Sequence, residues 1–465
     1  MDLLVIKKPS WIQAISLVQI LLLFFYLALN ITNIGESGGA ALPLLVAFAL
    51  ISVAVLFIQG VCKTIVIHFP LLLFLLFIVW ISLRVVIDLS DIQYLKQITI
   101  ATTGGILLFF FIGIFSKQAL GIINKTEVSL FSLKIVLLTF LTISFSIFSS
   151  FQSRLLERVD IFYIEGVEGG YQRPGNFLII IFIIVSFALL SIASHKSTKI
   201  KFSLFIWLVI YSLSFIGALV SSQMFGSNTA TANLAAIYLI TFVLSLFSFN
   251  KKVRLGFLSD KIGSLFSKGV IIKLIKYSFV SIITIFVIAL IGIQVTGFDV
   301  NKTRIFGFGS GDISSISSIS SRSSIFKETG MDQLSYAPIL GDMNVARIIT
   351  GDAGSYLHNF LPNIMAELGL FGLLIVISIF LLAFSTLIIN IKNNPKDNAG
   401  FQTFIANVWL LFVLLFLFIY ANIAVDKSWV VLWFYIGFAV NMISTKNRVN
   451  EKINYLNLKK ETQIE

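Results

Sequence analysis

The 465-residue chain is 57% hydrophobic and 14% aromatic, with 12% charged residues and a formal net charge of +12. A soluble domain carries about 25% charged residues, so this balance excludes a soluble globular protein. Apolar runs of about 20 residues without alternation exclude a transmembrane β-barrel. The positive charge belongs to loops on the inner side of a membrane rather than to a nucleic-acid surface, and one cysteine, Cys62, excludes an internal disulfide or thiolate cluster.

Runs of membrane-crossing length predict an all-α integral membrane protein with about 12 transmembrane helices. They lie near residues 11–30, 40–61, 65–83, 97–115, 131–150, 177–194, 202–220, 232–249, 277–296, 363–389, 401–420 and 428–444. The apolar run from Trp11 is too long for a signal-peptide core and is read as the first span. The chain then divides into spans 1–9 (1–295), a large loop (296–362), spans 10–12 (363–444) and a polar tail (445–465). Lys7, Lys63, Lys117, Lys196, Lys392 and Lys446 all fall in alternate loops, which puts those loops and both termini on the cytoplasmic side. The basic segment 251–276 carries apolar Leu255, Leu258, Ile262 and Phe266 and is expected to lie along the inner surface.

Lysine and arginine divide differently across this topology. Among the lysines, Lys96, Lys302, Lys327 and Lys427 fall outside; among the arginines, Arg84, Arg154, Arg158, Arg173, Arg304, Arg322 and Arg347 do, leaving Arg254 and Arg448 inside. Topology treats both residues alike, whereas guanidinium binds phosphate or carboxylate through paired donors. The split points to an anionic ligand on the outer side. The plainer alternative is ion pairing, with Glu157, Asp160, Glu165 and Glu168 near the first cluster and Asp342 near Arg347.

Two outer loops carry candidate chemistry. In the first, Arg173-Pro174-Gly175-Asn176 places a turn and an arginine at the start of span 6, an anion site or simply a surface turn. In the second, Asp312, Ile313, Ile316, Ile319, Arg322 and Ile325 predict a short surface helix capped by Asp312, although its serine richness also fits a flexible linker. Pro338-Ile339-Leu340-Gly341-Asp342 makes a turn, and His358-Asn359 immediately precedes span 10, expected to begin near Pro362. A neutral imidazole there can take a proton from an attacking hydroxyl; the alternative is an interfacial histidine bonded to a carbonyl. Glu367, within span 10, requires a partner, for which an arginine or histidine is expected. The chain has no Gly-x-x-x-x-Gly-Lys-Ser/Thr loop, no Asp-x-Asp pair and no histidine–cysteine cluster, so neither metal nor cofactor is expected.

His358-Asn359-Phe360-Leu361 followed by Ala366-Glu367-Leu368-Gly369-Leu370-Phe371-Gly372 resembles the signature of the O-antigen polymerase and O-antigen ligase superfamily. In that family a histidine–asparagine pair in the large outer loop runs into a helix with Glu-x-Gly-x-x-Gly. Arg322 with Phe326, Pro338-Ile339-Leu340-Gly341, and Arg173-Pro174-Gly175-Asn176 look like its other arginine and turn motifs, so the likeness covers roughly residues 170–390. Where the family often has Ser-Arg, this chain has Ser222-Gln223, which hydrogen-bonds a phosphate or sugar without neutralising charge.

The resemblance implies a metal-independent glycosyltransferase of the bacterial cytoplasmic (inner) membrane, with its large periplasmic loop between spans 9 and 10. Its substrates would be undecaprenyl-diphosphate-linked oligosaccharides. It implies His358 as general base with Arg173 and Arg322 as catalytic partners, and Arg154, Arg158, Arg304, Arg347, Asn359, Glu367 and Gln223 as substrate contacts. Membrane lipid and a chain-length regulator protein are the implied partners, with no nucleic acid. A polymerase is favoured because the chain is divergent and rich in Phe, Ile and Ser; the alternatives are a ligase acting on lipid A–core, or a lipid-linked glycan flippase or other transporter.

Overall fold

The computed structural model describes residues 11–32, 41–123, 128–151, 172–194, 200–249, 317–395, 397–440 and 442–447. The elements in order are α1 (Trp11–Thr32), α2 (Leu42–Cys62), β1 (Lys63–Ile67), α3 (Phe69–Asp88), α4 (Gln93–Ile123), α5 (Val128–Phe151), α6 (Gln172–Ala193), α7 (Ile200–Met224) and α8 (Asn228–Phe249). There follow α9 (Ser317–Tyr336), α10 (Val345–Thr350), α11 (Phe360–Lys392), α12 (Asn398–Ala424), α13 (Val430–Ala439) and β2 (Ile443–Asn447). Among the described residues nine helices are long and apolar enough to cross a membrane. The chain is an all-α, multi-pass membrane protein. The expected ninth span and the surface segment 251–276 lie outside the described residues, as does the tail beyond residue 447.

The bundle is built around α6. From Phe177 to Ala193 this helix is apolar on every side, and it is buried throughout. Such a helix belongs at the centre of a bundle rather than at its surface. Helices α1, α5, α8, α12 and α13 pack around it. The polar groups admitted to this core are small and paired, as where Ser186 and Tyr211 share a hydrogen bond of 2.7 Å and Trp409 Nε1 donates to Thr241 at 2.8 Å.

Two expected spans are corrected. Span 12 forms a helix of only 10 residues, which rises about 15 Å, half the hydrocarbon thickness. It fits because its backbone lies directly on α4. A Cβ on Gly437 would stand 2.2 Å from the Phe110 carbonyl oxygen, and one on Gly113 would stand 2.1 Å from that of Phe434. Close backbone approach of this kind needs residues without side chains. The chain then leaves the helix and Ile443–Asn447 pairs antiparallel with Lys63–Ile67, Lys63 opposite Asn447. Span 3 accordingly starts at Phe69 rather than 65, with Pro70 in its first turn. The β-branched run from Thr64 to Ile67 is a strand, not the head of that helix. Lys117, expected in a loop, extends α4 and lies 4.0 Å from the Phe187 ring centroid.

The strand pair joins the α2–α3 connection to the end of α13 at one end of the bundle. The opposite end gathers the end of α1, the start of α6, the α7–α8 turn, the start of α11 and the α12–α13 connection. These two sets are the alternate loops that the lysine distribution separates.

Candidate functional site

Four separated stretches meet at that second end around a small, partly open cleft. Gln172 and Asn176 line it from α6, Ser227 and Thr229 from the α7–α8 turn, Tyr356 and His358 from the segment before α11, and residues 424–429 (except Lys427) from the α12–α13 connection. Gln172 and Asn176 are four residues apart and therefore share one helical face. Arg173, one residue on, is turned by about 100°. Its guanidinium is directed to α1, where it donates to Asn30 Oδ1 at 2.6 Å and lies 5.6 Å from the Phe177 ring centroid.

His358 is presented by alternation. Leu357 is buried at 1% exposure in a small apolar cluster with Val345 and Ala366, against Ile325, Leu334 and Ile349. In an extended segment the residues on either side of it face the other way, so Tyr356 and His358 line the cleft with ring centroids 4.4 Å apart. The segment is tied at both ends. Gln333 donates to the Ser355 carbonyl at 3.0 Å, and the Asn359 amide donates to the Asn422 carbonyl at 2.8 Å. The Leu361 N–H adds a bond to Asn422 Oδ1 at 3.1 Å. Asn359, expected as a substrate contact, thus anchors the histidine segment to α12.

The α12–α13 connection supplies the wall that sequence reasoning missed. Asp426 lines the cleft, and its Oδ1 accepts from the Ser428 N–H at 2.7 Å and from the Ser428 hydroxyl. Trp429 is 4% exposed and donates from Nε1 to Asn176 Oδ1 at 3.0 Å, joining this wall to α6. Lys427 turns the opposite way and pairs with Glu367 inside α11, while Asn363 donates to the other Glu367 oxygen at 2.6 Å. Glu367 therefore has a lysine partner instead of the expected arginine or histidine. A carboxylate, a lysine and a tryptophan in the short link between two apolar helices were the available signal, since charge is costly at such a place unless used.

The remaining expected residues lie apart from the cleft. Gln223 is 7% exposed and donates to Thr231 Oγ1 at 2.5 Å, beneath the α7–α8 turn. Arg347 is exposed on α10; among the described residues it forms no ion pair with Asp342, whose Oδ1 accepts the Asn344 N–H at 2.8 Å. Arg322 lies on α9, which starts at Ser317 and continues to Tyr336. Its side chain is outside the described residues, as are Arg154, Arg158, Arg304 and Asp312.

A second polar assembly sits beside the cleft. Helix α11 is broken at Gly369, with φ 67° and ψ −172°, and the turn 338–342 fills the break. Ala366 O accepts from the Asp342 N–H at 3.1 Å, and the Leu370 N–H donates to Pro338 O at 2.8 Å. Trp80 Nε1 takes the Leu368 carbonyl at 3.0 Å. Gly341, at φ 74°, and Gly369 face each other so closely that a Cβ on either would stand 2.3–2.4 Å from backbone of the other segment. Arg84 closes the assembly, donating to Gly341 O at 2.6 Å and pairing with Asp88 at 2.6 Å, while Asp88 also accepts the Met343 N–H at 3.0 Å. Arg84 is one of the arginines expected on the outer side, and it is committed to structure.

Among the described residues that line the cleft, Asp426 brings a carboxyl group and His358 an imidazole, and there is neither lysine nor arginine. Amide, hydroxyl, carboxylate and aromatic groups around one imidazole can bind a hydroxyl-rich molecule and move a proton. No protein-family model matches the chain, and no curated protein matches it.

Proposed function

We propose that the protein is a metal-independent glycosyltransferase, an O-antigen (surface polysaccharide) polymerase joining undecaprenyl-diphosphate-linked oligosaccharide repeats at the periplasmic face of the bacterial inner membrane. The observation that carries this reading is the convergence on one cleft of His358 with the start of α6, two stretches that the family resemblance singles out independently. In this reading the chain has twelve membrane segments, the last of them short, with both termini cytoplasmic and the 296–362 loop periplasmic. The cleft is then at the outer end of the bundle.

The reaction assigns His358 as general base. The acceptor sugar hydroxyl loses its proton to the imidazole as its oxygen attacks the anomeric carbon of the donor. The bond from that carbon to the diphosphate oxygen breaks, and undecaprenyl diphosphate leaves with the bonding pair. Stabilising that departing charge falls to Arg173, Arg322 and Arg347. Arg173 is exposed and next in sequence to Gln172 of the cleft wall, with its guanidinium bonded to Asn30 of α1.

The test replaces His358 with alanine in cells and follows surface polysaccharide by gel, with membrane abundance measured in parallel. Loss of the long-chain ladder, leaving single repeats on lipid A–core, is the expected result. Loss of all attached repeats with polymer retained on the lipid carrier would make the protein a ligase instead. An unchanged ladder at normal abundance would remove the base assignment.

A further inference from the structure

The charge of the cleft wall carries one more step. Donor diphosphate is strongly anionic, yet the described residues that line the cleft include the carboxyl group of Asp426 and neither lysine nor arginine. Asp426 Oδ1 is held by two bonds from Ser428, which fixes the carboxylate plane, and Oδ2 has no partner among the described residues. Its neighbour Lys427, which could have neutralised it, is withdrawn to Glu367. Trp429 and Asn176, joined by a hydrogen bond, line the cleft with Asp426. A rigid carboxylate beside an aromatic ring and amide groups matches the hydroxyls and C–H face of a sugar, and it repels a phosphate.

We propose that Asp426 is the acceptor-binding residue of this cleft, taking a hydrogen bond from an acceptor-sugar hydroxyl so that the neighbouring hydroxyl faces His358, and selecting neutral or amino-bearing acceptor sugars over acidic ones. This rests on the glycosyltransferase reading above. It adds that the cleft is the acceptor subsite, with the donor diphosphate held outside it. A site built around a hydrogen bond to a hydroxyl discriminates strongly, because its own polar group is left unpaired when the hydroxyl is missing.

The experiment uses the full chain in nanodiscs. The probe is the oligosaccharide repeat released from the cells' own polysaccharide and freed of phosphate, and its binding is followed by tryptophan fluorescence for wild type, Asp426→Asn and His358→Ala. Elongation of lipid-linked repeats is measured on the same preparations. Asp426→Asn keeps an oxygen for Ser428 and is expected to fold with an unchanged melting temperature. The expected result is binding weakened about tenfold or more by Asp426→Asn, with the acceptor KM raised accordingly and kcat less affected. His358→Ala should bind the probe within about threefold of wild type while losing elongation, since an unprotonated base adds little to ground-state binding.

Wild-type affinity in Asp426→Asn would overturn the acceptor assignment and, with His358→Ala inactive, leave the glycosyltransferase reading standing. Normal elongation by His358→Ala with weakened probe binding by Asp426→Asn would instead remove the base and keep the sugar site. Equal binding of a uronic-acid-bearing oligosaccharide and a neutral one would overturn the charge selection.

Discussion

The α3–α11 junction and the His358 cleft lie at the same end of the bundle, and both are made by laying a polar loop against helix ends. They differ in what they do with their hydrogen bonds. At the junction, the amides and carbonyls freed by the break at Gly369 are taken by the turn 338–342, and Arg84 and Asp88 saturate what remains around Gly341 and Met343. In the cleft, the anchoring bonds run through backbone and through Asn359 and Asn422, and Asp426 and His358 line the opening. The contrast teaches that an arginine expected on the outer side is not by itself a ligand site. Arg84 holds a turn, and no arginine among the described residues lines the cleft.

The comparison can be broken first at its tightest point. Replacing Gly341 or Gly369 with leucine puts a side chain into the opposing backbone at a positive φ, and a loss of at least about 4 kcal/mol is expected. The measurement is folded yield and thermal unfolding in detergent; a variant that melts like wild type would show that the turn does not fill the helix break. Next, Arg84→Met leaves Asp88 buried without its partner, and a loss of about 3–5 kcal/mol is expected. Arg84→Met combined with Asp88→Leu should recover part of that loss if the pair is structural, and a double-mutant cycle in melting temperature measures it.

Asn359→Ala removes one hydrogen bond, worth about 1 kcal/mol, but frees the segment that presents His358. Its effect on elongation should therefore exceed its effect on stability, and equal modest losses in both would mean that the anchor does not position the histidine. The smallest effect is local. The Gly354 N–H, at 2.9 Å, and the Ser355 hydroxyl hold the Asp352 carboxyl below its ordinary value of 3.8. A depressed folded value contributes stability above about pH 3.8 and loses it as the pH falls through the folded value. Amide exchange at Gly354 should accordingly speed up only in that acid range.

Much of the fold was legible because hydropathy over about 20 residues is set by the bilayer and little else. The errors fall where a distant partner decides. Lys63–Ile67 is apolar enough to extend a span, and only its pairing with Ile443–Asn447 makes it a strand. Span 12 is short because Gly113 and Gly437 bring α4 and α13 into backbone contact, a fact that needs both helices together. In the site, His358 and the start of α6 were visible as motifs. Helical phase then separated Arg173 from the cleft and put Gln172 and Asn176 there instead. Asp426 was not legible, because a carboxylate in a five-residue link signals nothing until the opposite walls are known.

The most direct test is the elongation rate of His358→Ala in reconstituted membranes, with lipid-linked repeats as both donor and acceptor. Loss of a general base predicts a rate lower by about 10²–10⁴-fold at an unchanged melting temperature. A folded His358→Ala protein elongating at the wild-type rate would contradict the claim that this cleft is where glycan transfer occurs.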